Sequence, residues 1–418
     1  MATLFTGGWV WDGSLEARFA ADVLVKNGKV AAIDRQRGNL AETGAEIIDA
    51  AGATLIPGLV DAHGHLSFPV STYAYQIEDT PPEETLLITL HNARLLLDCG
   101  FTGVIGAGSP KLRTEIVIRN EIDSGRIPGP RLLASSPTLT ATGGLNDIAQ
   151  MHQQRAVAAM IADGPVAMRQ AVRLCYREGV DVIKLNVSGD DFFPRPTGRT
   201  TTMAEDEMAE AGLWARELGL MISAHARSAE SIKRALRHGA TLIHHTDFAD
   251  AEALDLMEAA RDRIFVSPTI GYYHSLLHES PFDKGTLTRM GVEDTMAKNI
   301  QVHTELRKRG VRAVIGGDYG LPWQLNGLNA RDVAHFVTYL GYTPLQALHA
   351  ATFNGGVLMG KGAGTIKPGA TADLLLVAGD PTTDPSLVAG QHNLQVIMKG
   401  GAMHKSLPPE AARQARAA

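Results

Sequence analysis

Two hydrophobic periods divide this chain. At the amino end, apolar residues alternate with polar ones in short runs at 3–6, 22–26, 28–34 and 46–50, which predicts strands. Asn27-Gly28 and Ala51-Gly52 punctuate them, and Asn-Gly tolerates the positive φ that a tight hairpin needs. At the carboxyl end, 364–366, 372–378 and 394–399 also predict strands. Between these ends the pattern changes to strand and helix in turn. Strands are expected at 54–59, 103–106, 131–135, 180–187, 220–224, 241–245, 264–268 and 312–316. Helical periodicity fills intervals such as 83–98, 166–178, 204–218, 228–238 and 251–261.

Eight strands alternating with helices predict an α/β chain built on a distorted (β/α)8 TIM barrel over 57–359. The strands at the two ends then predict a small, discontinuous β-sandwich made from 1–56 and 360–418. The Ala/Arg-rich tail at 409–418 reads as a short helix or frayed end.

Composition narrows the function more than the fold. In 418 residues, 44% are hydrophobic and 20% charged, which excludes a disordered or fibrous chain. The net charge of −6 comes without a run of like charges, so neither nucleic acid nor an anionic membrane is an expected partner. A small-molecule substrate is. The two cysteines, Cys99 and Cys175, lie in apolar helical segments with no C-x-x-C spacing, and are expected as buried free thiols. No leader pattern and no run of ~18 apolar residues is visible, which predicts a soluble, cytoplasmic protein.

The chemistry concentrates at expected strand ends, where catalytic groups of a barrel sit. Strand one runs into His63-Gly64-His65, whose two imidazoles point to the same side. Strand four carries Lys184, strand five ends at His225, strand six at His244-His245, and Asp318 follows strand eight. These are ligand types for a hard-to-borderline cation such as zinc. Lys184, flanked by Ile183 and Leu185, is expected to be buried. Burial lowers an amine's pKa and leaves a nucleophile able to add CO2 as a carbamate. Tyr272, Tyr273 and His274 after strand seven, and Leu321 and Trp323 after Asp318, are expected near substrate. His91, His303, His335 and His349 fall in helical stretches and read as surface or satisfied core residues.

Taken together, Pro57-Gly58-Leu59-Val60-Asp61-Ala62-His63-Gly64-His65, Ile127-Pro128-Gly129-Pro130-Arg131, Lys184, His225-Ala226-Arg227, Ile243-His244-His245, Gly317-Asp318, Gly364-Thr365-Ile366-Lys367-Pro368-Gly369 and Ala372-Asp373-Leu374 resemble the amidohydrolase superfamily nearly end to end. The resemblance is to its branch of imidazolonepropionase-like proteins, Xaa-Pro dipeptidase-type enzymes, ochratoxin amidohydrolases, and molinate and phenylurea hydrolases. It implies one or two divalent metal ions, zinc first, with manganese or cobalt as alternatives. His63, His65 and Asp318 would hold the more buried ion and His225 and His245 the second, with a CO2-derived carbamate on Lys184 as bridge. Asp318 would also move the proton. His244 stands where many relatives have Glu. Relatives are commonly oligomers, so a homo-oligomer is expected.

The implied reaction is hydrolysis of a C–N bond in an amide, urea or carbamate by metal-activated hydroxide. Dipeptidase-like relatives usually carry histidine where this chain has Leu145, after Ala141-Thr142-Gly143-Gly144. Asn186 and the acidic and aromatic run Asp190-Asp191-Phe192-Phe193 follow Lys184 in place of a Ser-Gly-Gly-rich segment. These positions suit a neutral, apolar N-aryl or N-alkyl substrate such as a phenylurea. A free α-carboxylate would need a cation, for which Arg227 is the one candidate. The alternatives are an Xaa-Pro dipeptidase or an N-acyl-amino-acid (ochratoxin-type) amidohydrolase, and, from another class, a non-catalytic small-molecule binding protein on the same fold.

Overall fold

The structure, a computed structural model, describes residues 2–69, 76–147, 150–152, 157–192 and 195–407. The tail at 409–418 and Phe193 lie outside the described residues.

Strands from both ends of the chain build two sheets. One has the order Lys29–Asp34, Asp22–Lys26, Ala2–Thr6, Glu46–Asp49. The other runs Ala402–Ser406, Leu394–Lys399, Leu374–Ala378, Ala53–Pro57, Trp9–Val10, Phe19–Ala20. Phe5, Val23, Val25, Leu55, Leu374 and Leu376 belong to the apolar core that the two sheets share. Leu374–Ala378 is buried along its whole length because its two faces serve different cores. Leu374 and Leu376 point into the sandwich, and Leu375 and Val377 into the core around the barrel. The segment at 364–366, expected as a strand, is instead a loop. Ile366 N and Thr365 Oγ1 both donate to Asp12 O, at 3.0 Å each.

The first barrel strand also differs from expectation, since the apolar run at 54–59 divides at Gly58. Ala53–Pro57 pairs antiparallel with Leu374–Ala378 in the sandwich, and barrel strand one is Leu59–Gly64. Gly58 donates its N–H to Asp373 O at 2.9 Å, and a Cβ on it would collide with Thr102. Only glycine lets the chain pass from sheet to barrel there.

The parallel barrel continues through Phe101–Gly106, Arg131–Leu133, Val182–Asn186, Met221–Ser228, Leu242–Phe248 and Phe265–Ser267. Strand three reaches strand four through a Ser135–Val182 bridge. The expected eighth strand makes a single bridge, Ala313 to Val266, and Ile315 O accepts from Ala62 N at 3.0 Å to complete the ring. Val60, Ala62, Ile105, Val182, Leu242 and Val314 fill the barrel interior. Two short strands not anticipated, Thr138–Thr140 and Ala159–Ile161, extend the sheet beside strand four. Helices pack outside, their starts capped where the sequence allows: Ser228 Oγ accepts from Ser231 N and Asp250 Oδ1 from Ala253 N. Among the described residues no helix is long and apolar enough to cross a membrane. Both cysteines are free and buried.

Candidate metal centre and cleft

All six residues expected around a cation line one cleft at the carboxyl ends of the barrel strands: His63, His65, Lys184, His225, His245 and Asp318. Strand period places them. In Val182–Asn186, Ile183 and Leu185 enter the surrounding core, while Val182, Lys184 and Asn186 share the inner face. Gly64 separates the strand-one histidines because a Cβ there would collide with Val104. Asp61 Oδ1 accepts from His63 N at 2.8 Å, and Asp61 Oδ2 from Asn329 Nδ2 at 2.6 Å, so a buried carboxylate steadies the backbone under the motif.

His245 reaches the cleft by a different device. Strand six bends where His245 and Thr246 have φ of 72° and 60°, and Asp318 has φ of 66°. Such backbone is costly for residues with a Cβ, on the order of 1–3 kcal/mol each, and must be held by its surroundings. Helix Val292–Lys308 supplies the hold. His303 Nε2 donates to His245 O at 2.7 Å, and Asn299 Nδ2 reaches Pro268 O at 2.8 Å and Asp247 Oδ1 at 2.7 Å.

Outer hydrogen bonds fix which imidazole nitrogen is free. Thr269 Oγ1 donates to Pro268 O, so it accepts from His245 Nδ1–H at 2.8 Å and leaves His245 Nε2 unprotonated. His225 Nε2 donates to Gly189 O at 3.0 Å, leaving Nδ1. His65 Nε2 stands 2.9 Å from Asp318 Oδ1, and its Nδ1 faces Gly108 O at 3.4 Å. Two electron-pair donors at that distance need a proton or a cation between them. His63 Nε2 is 3.5 Å from the same oxygen, and His63 Nδ1 is buried without a hydrogen-bond partner among the described residues.

Electrostatics favour the ligand forms. Burial first, then the neighbouring imidazoles and Lys184, push His63 and His245 well below the usual histidine range, so both are neutral. Burial lowers the Lys184 amine to about 7. Burial alone would raise the Asp318 carboxyl, but His65, Lys184 and His225 outweigh it and hold the group below its ordinary value, ionised. One nitrogen each from His63 and His245 and one Asp318 oxygen lie within 4.8 Å of one another, a spacing that one cation can bridge. The donor set therefore fits a divalent metal.

The cleft opens to solvent and holds about 130 Å³ of free space. Leu145, Asn186, Tyr272, Leu321 and Trp323 line it as expected, and Asn186 Nδ2 holds Leu145 O at 3.2 Å. Phe192 and Trp323 stack at 5.6 Å to form an aromatic wall. Three residues expected near substrate are elsewhere. Arg227 is buried in an ion cluster with Asp190 at 2.8 Å, Asp191 at 3.2 Å and Asp247 at 2.5 Å. Tyr273 OH accepts from that guanidinium at 3.0 Å and does not line the cleft. His274 turns away to Tyr339 OH, at 2.7 Å. Phe68, whose ring stacks on His65 at 4.1 Å, and Glu78 and Asn146 also stand on the cleft wall, with no signal for it in the sequence. Phe68 stands three residues past His65 in a loop, and no period marks it. His303 is a satisfied core histidine, as read, but its partner is the bend that presents His245.

The model of the amidohydrolase family matches residues 54–403. The ochratoxinase of Aspergillus niger is 24% identical over 385 residues, covering 84% of this chain and 75% of that protein. Among solved structures, an Xaa-Pro dipeptidase with methionine bound in its active site superimposes with a TM-score of 0.83 at 26% identity, covering 97% of this chain and all of that one. Phenylurea hydrolase B shares the fold at a TM-score of 0.77 and 17% identity, with 96% of each chain covered.

Proposed function

The chain belongs to the amidohydrolase family, and from that premise we propose that it is a metal-dependent hydrolase of a C–N bond in an uncharged, largely apolar amide, urea or carbamate. The observation that carries the reading is the convergence of neutral imidazoles, an ionised carboxylate and a buried lysine at the floor of an apolar cleft. His63, His65, Asp318, His225 and His245 would hold one or two divalent ions, with Lys184 as a carbamate between them. A divalent cation supplies Lewis acidity, lowering the pKa of a water toward ~7 and polarising a carbonyl. Asp318 Oδ takes a proton from the attacking water and returns it to the departing nitrogen, which leaves poorly as an anion. Phe192, Trp323, Tyr272 and Leu145 exclude water and seat the apolar part of the substrate.

The neutral substrate is favoured by charge. Apart from Lys184, no lysine or arginine stands among the described residues of the cleft wall, whereas Glu78 and Asp190 do. Among those described residues a substrate carboxylate would find no arginine, and no lysine other than Lys184. A second reading, an Xaa-Pro dipeptidase or N-acyl-amino-acid amidohydrolase, draws support from the likeness to the dipeptidase and the ochratoxinase.

Metal analysis with a substrate panel of aryl ureas, thiocarbamates, anilides, N-acyl amino acids and Xaa-Pro dipeptides separates these readings. Turnover confined to the uncharged members is expected; turnover confined to the carboxylate-bearing ones moves the assignment to the second. Asp318→Asn should cut kcat by about 100- to 10,000-fold. Unchanged ligand affinity together with no turnover in the native chain would instead mark a binding protein.

A further inference from the structure

His244 is not in the ligand group and does not line the cleft, yet it touches the centre from beneath. Its ring lies flat on that of His63, with centroids 3.7 Å apart and planes 7° from parallel. Its Nε2 is 3.1 Å from Ala62 O and its Nδ1 is 2.5 Å from Lys184 Nζ. A carbonyl oxygen only accepts, so Nε2 carries the proton and Nδ1 presents a lone pair to the lysine. His244 is fully buried.

From this contact we infer that His244 is a positioning residue for Lys184: its Nδ1 accepts the single N–H that remains when Nζ carries a carbamate, and so favours the carbamylated lysine. The inference rests on the proposed function. The step balances as Lys–NH2 plus CO2 giving Lys–NH–COO⁻ plus a proton released to solvent. The amine lone pair forms the N–C bond, a C=O π pair moves onto oxygen, and one of two N–H bonds breaks. The N–H that stays is the one His244 accepts. An ammonium would offer three N–H groups to this single imidazole acceptor. The planar carbamate, by contrast, has one N–H to place. The coplanar stack does a second job, holding the His63 ring against rotation while that ring serves the cation.

The test uses the full chain with zinc and ¹³C-bicarbonate. It follows the lysine carbamate resonance, identified by its absence from Lys184→Met, as bicarbonate is varied, with zinc content measured on the same samples. His244→Leu removes the acceptor, whereas His244→Asn keeps an amide oxygen one bond beyond Cγ, near where Nδ1 stands. His244→Leu should need at least about tenfold more bicarbonate for half-saturation, and His244→Asn should stay within about threefold of the native chain. Equal saturation of His244→Leu and the native chain overturns the inference, as does His244→Asn failing as badly as His244→Leu. Loss of zinc from His244→Leu with the carbamate retained would leave His244 only its stack on His63 and also overturns the inference. Absence of any carbamate in the zinc-loaded native chain sinks the lysine bridge itself, and the assignment of His244 with it. Should neither variant fold, ¹⁵N-histidine spectra of the native chain decide the matter: an unprotonated, hydrogen-bonded Nδ1 on His244 supports the assignment, and an Nδ1–H on it refutes it.

Discussion

At the scale of single residues, charge placement separates the cleft from its surroundings. The Arg227 side chain is 1% exposed and meets three carboxylates and a phenol, so its charge is matched before it reaches any ligand. Arg227→Met should lower stability by about 3–5 kcal/mol, because Asp247, wholly buried, would lose its counter-ion. Chemical denaturation reads this directly, and a loss below about 1 kcal/mol would show the cluster to be dispensable. Glu115 is the opposite case. Its Oε2 accepts from Ser135 N at 2.8 Å, its Oε1 has no partner among the described residues, and burial pushes the carboxyl up to about 8. The folded value is raised above the ordinary 4.5, so this group's contribution is fully present below pH 4.5 and is lost as pH rises through about 8. Glu115→Gln should remove that slope. Melting temperatures of both proteins between pH 5 and 9 should converge at the acid end and part at the basic end, with the variant higher.

Elements decide which of those residues meet. The bend after His244 turns His245 into the cleft, and His303 and Asn299 hold it from a helix more than fifty residues later. His303→Leu should therefore weaken zinc binding by roughly 10- to 100-fold while the fold persists, measurable by competitive titration against a chelator. An affinity equal to that of the native chain would mean the bend holds itself. The histidines, Lys184 and Asp318 were legible in the sequence because strand alternation and the position of strand ends locate them. The bend was not, since positive φ at His245 and Thr246 leaves no mark in residue type. Tyr273 and His274 were misplaced for a related reason. Strand seven passes almost at once into helix Ile270–His278, where each residue turns by about 100°. Tyr272 consequently faces the cleft, Tyr273 faces Arg227, and His274 faces Tyr339. Arg227 could be recognised as a possible clamp, but Asp247, which claims it, comes from another strand. At Gly58, an unbroken apolar run hid the change of sheet.

Across the whole molecule, the strand Leu374–Ala378 joins the two cores. Calorimetry should show sandwich and barrel melting in one transition, and Leu374→Ala and Leu375→Ala should each cost about 2–5 kcal/mol and move that transition as a unit. Two separate transitions, with Leu374→Ala shifting one and Leu375→Ala the other, would show the layers to be independent. The same strand bears on how the protein is made. Ala53–Pro57 pairs with Trp9–Val10 on one side, and its other side must wait for Leu374–Ala378, synthesised more than three hundred residues later. At translation rates of about 5–20 residues per second, an open sheet edge remains uncovered for tens of seconds on every nascent chain. Ribosome-bound chains halted before residue 370 should accordingly be the species that chaperones capture, and release should follow once the last strands emerge.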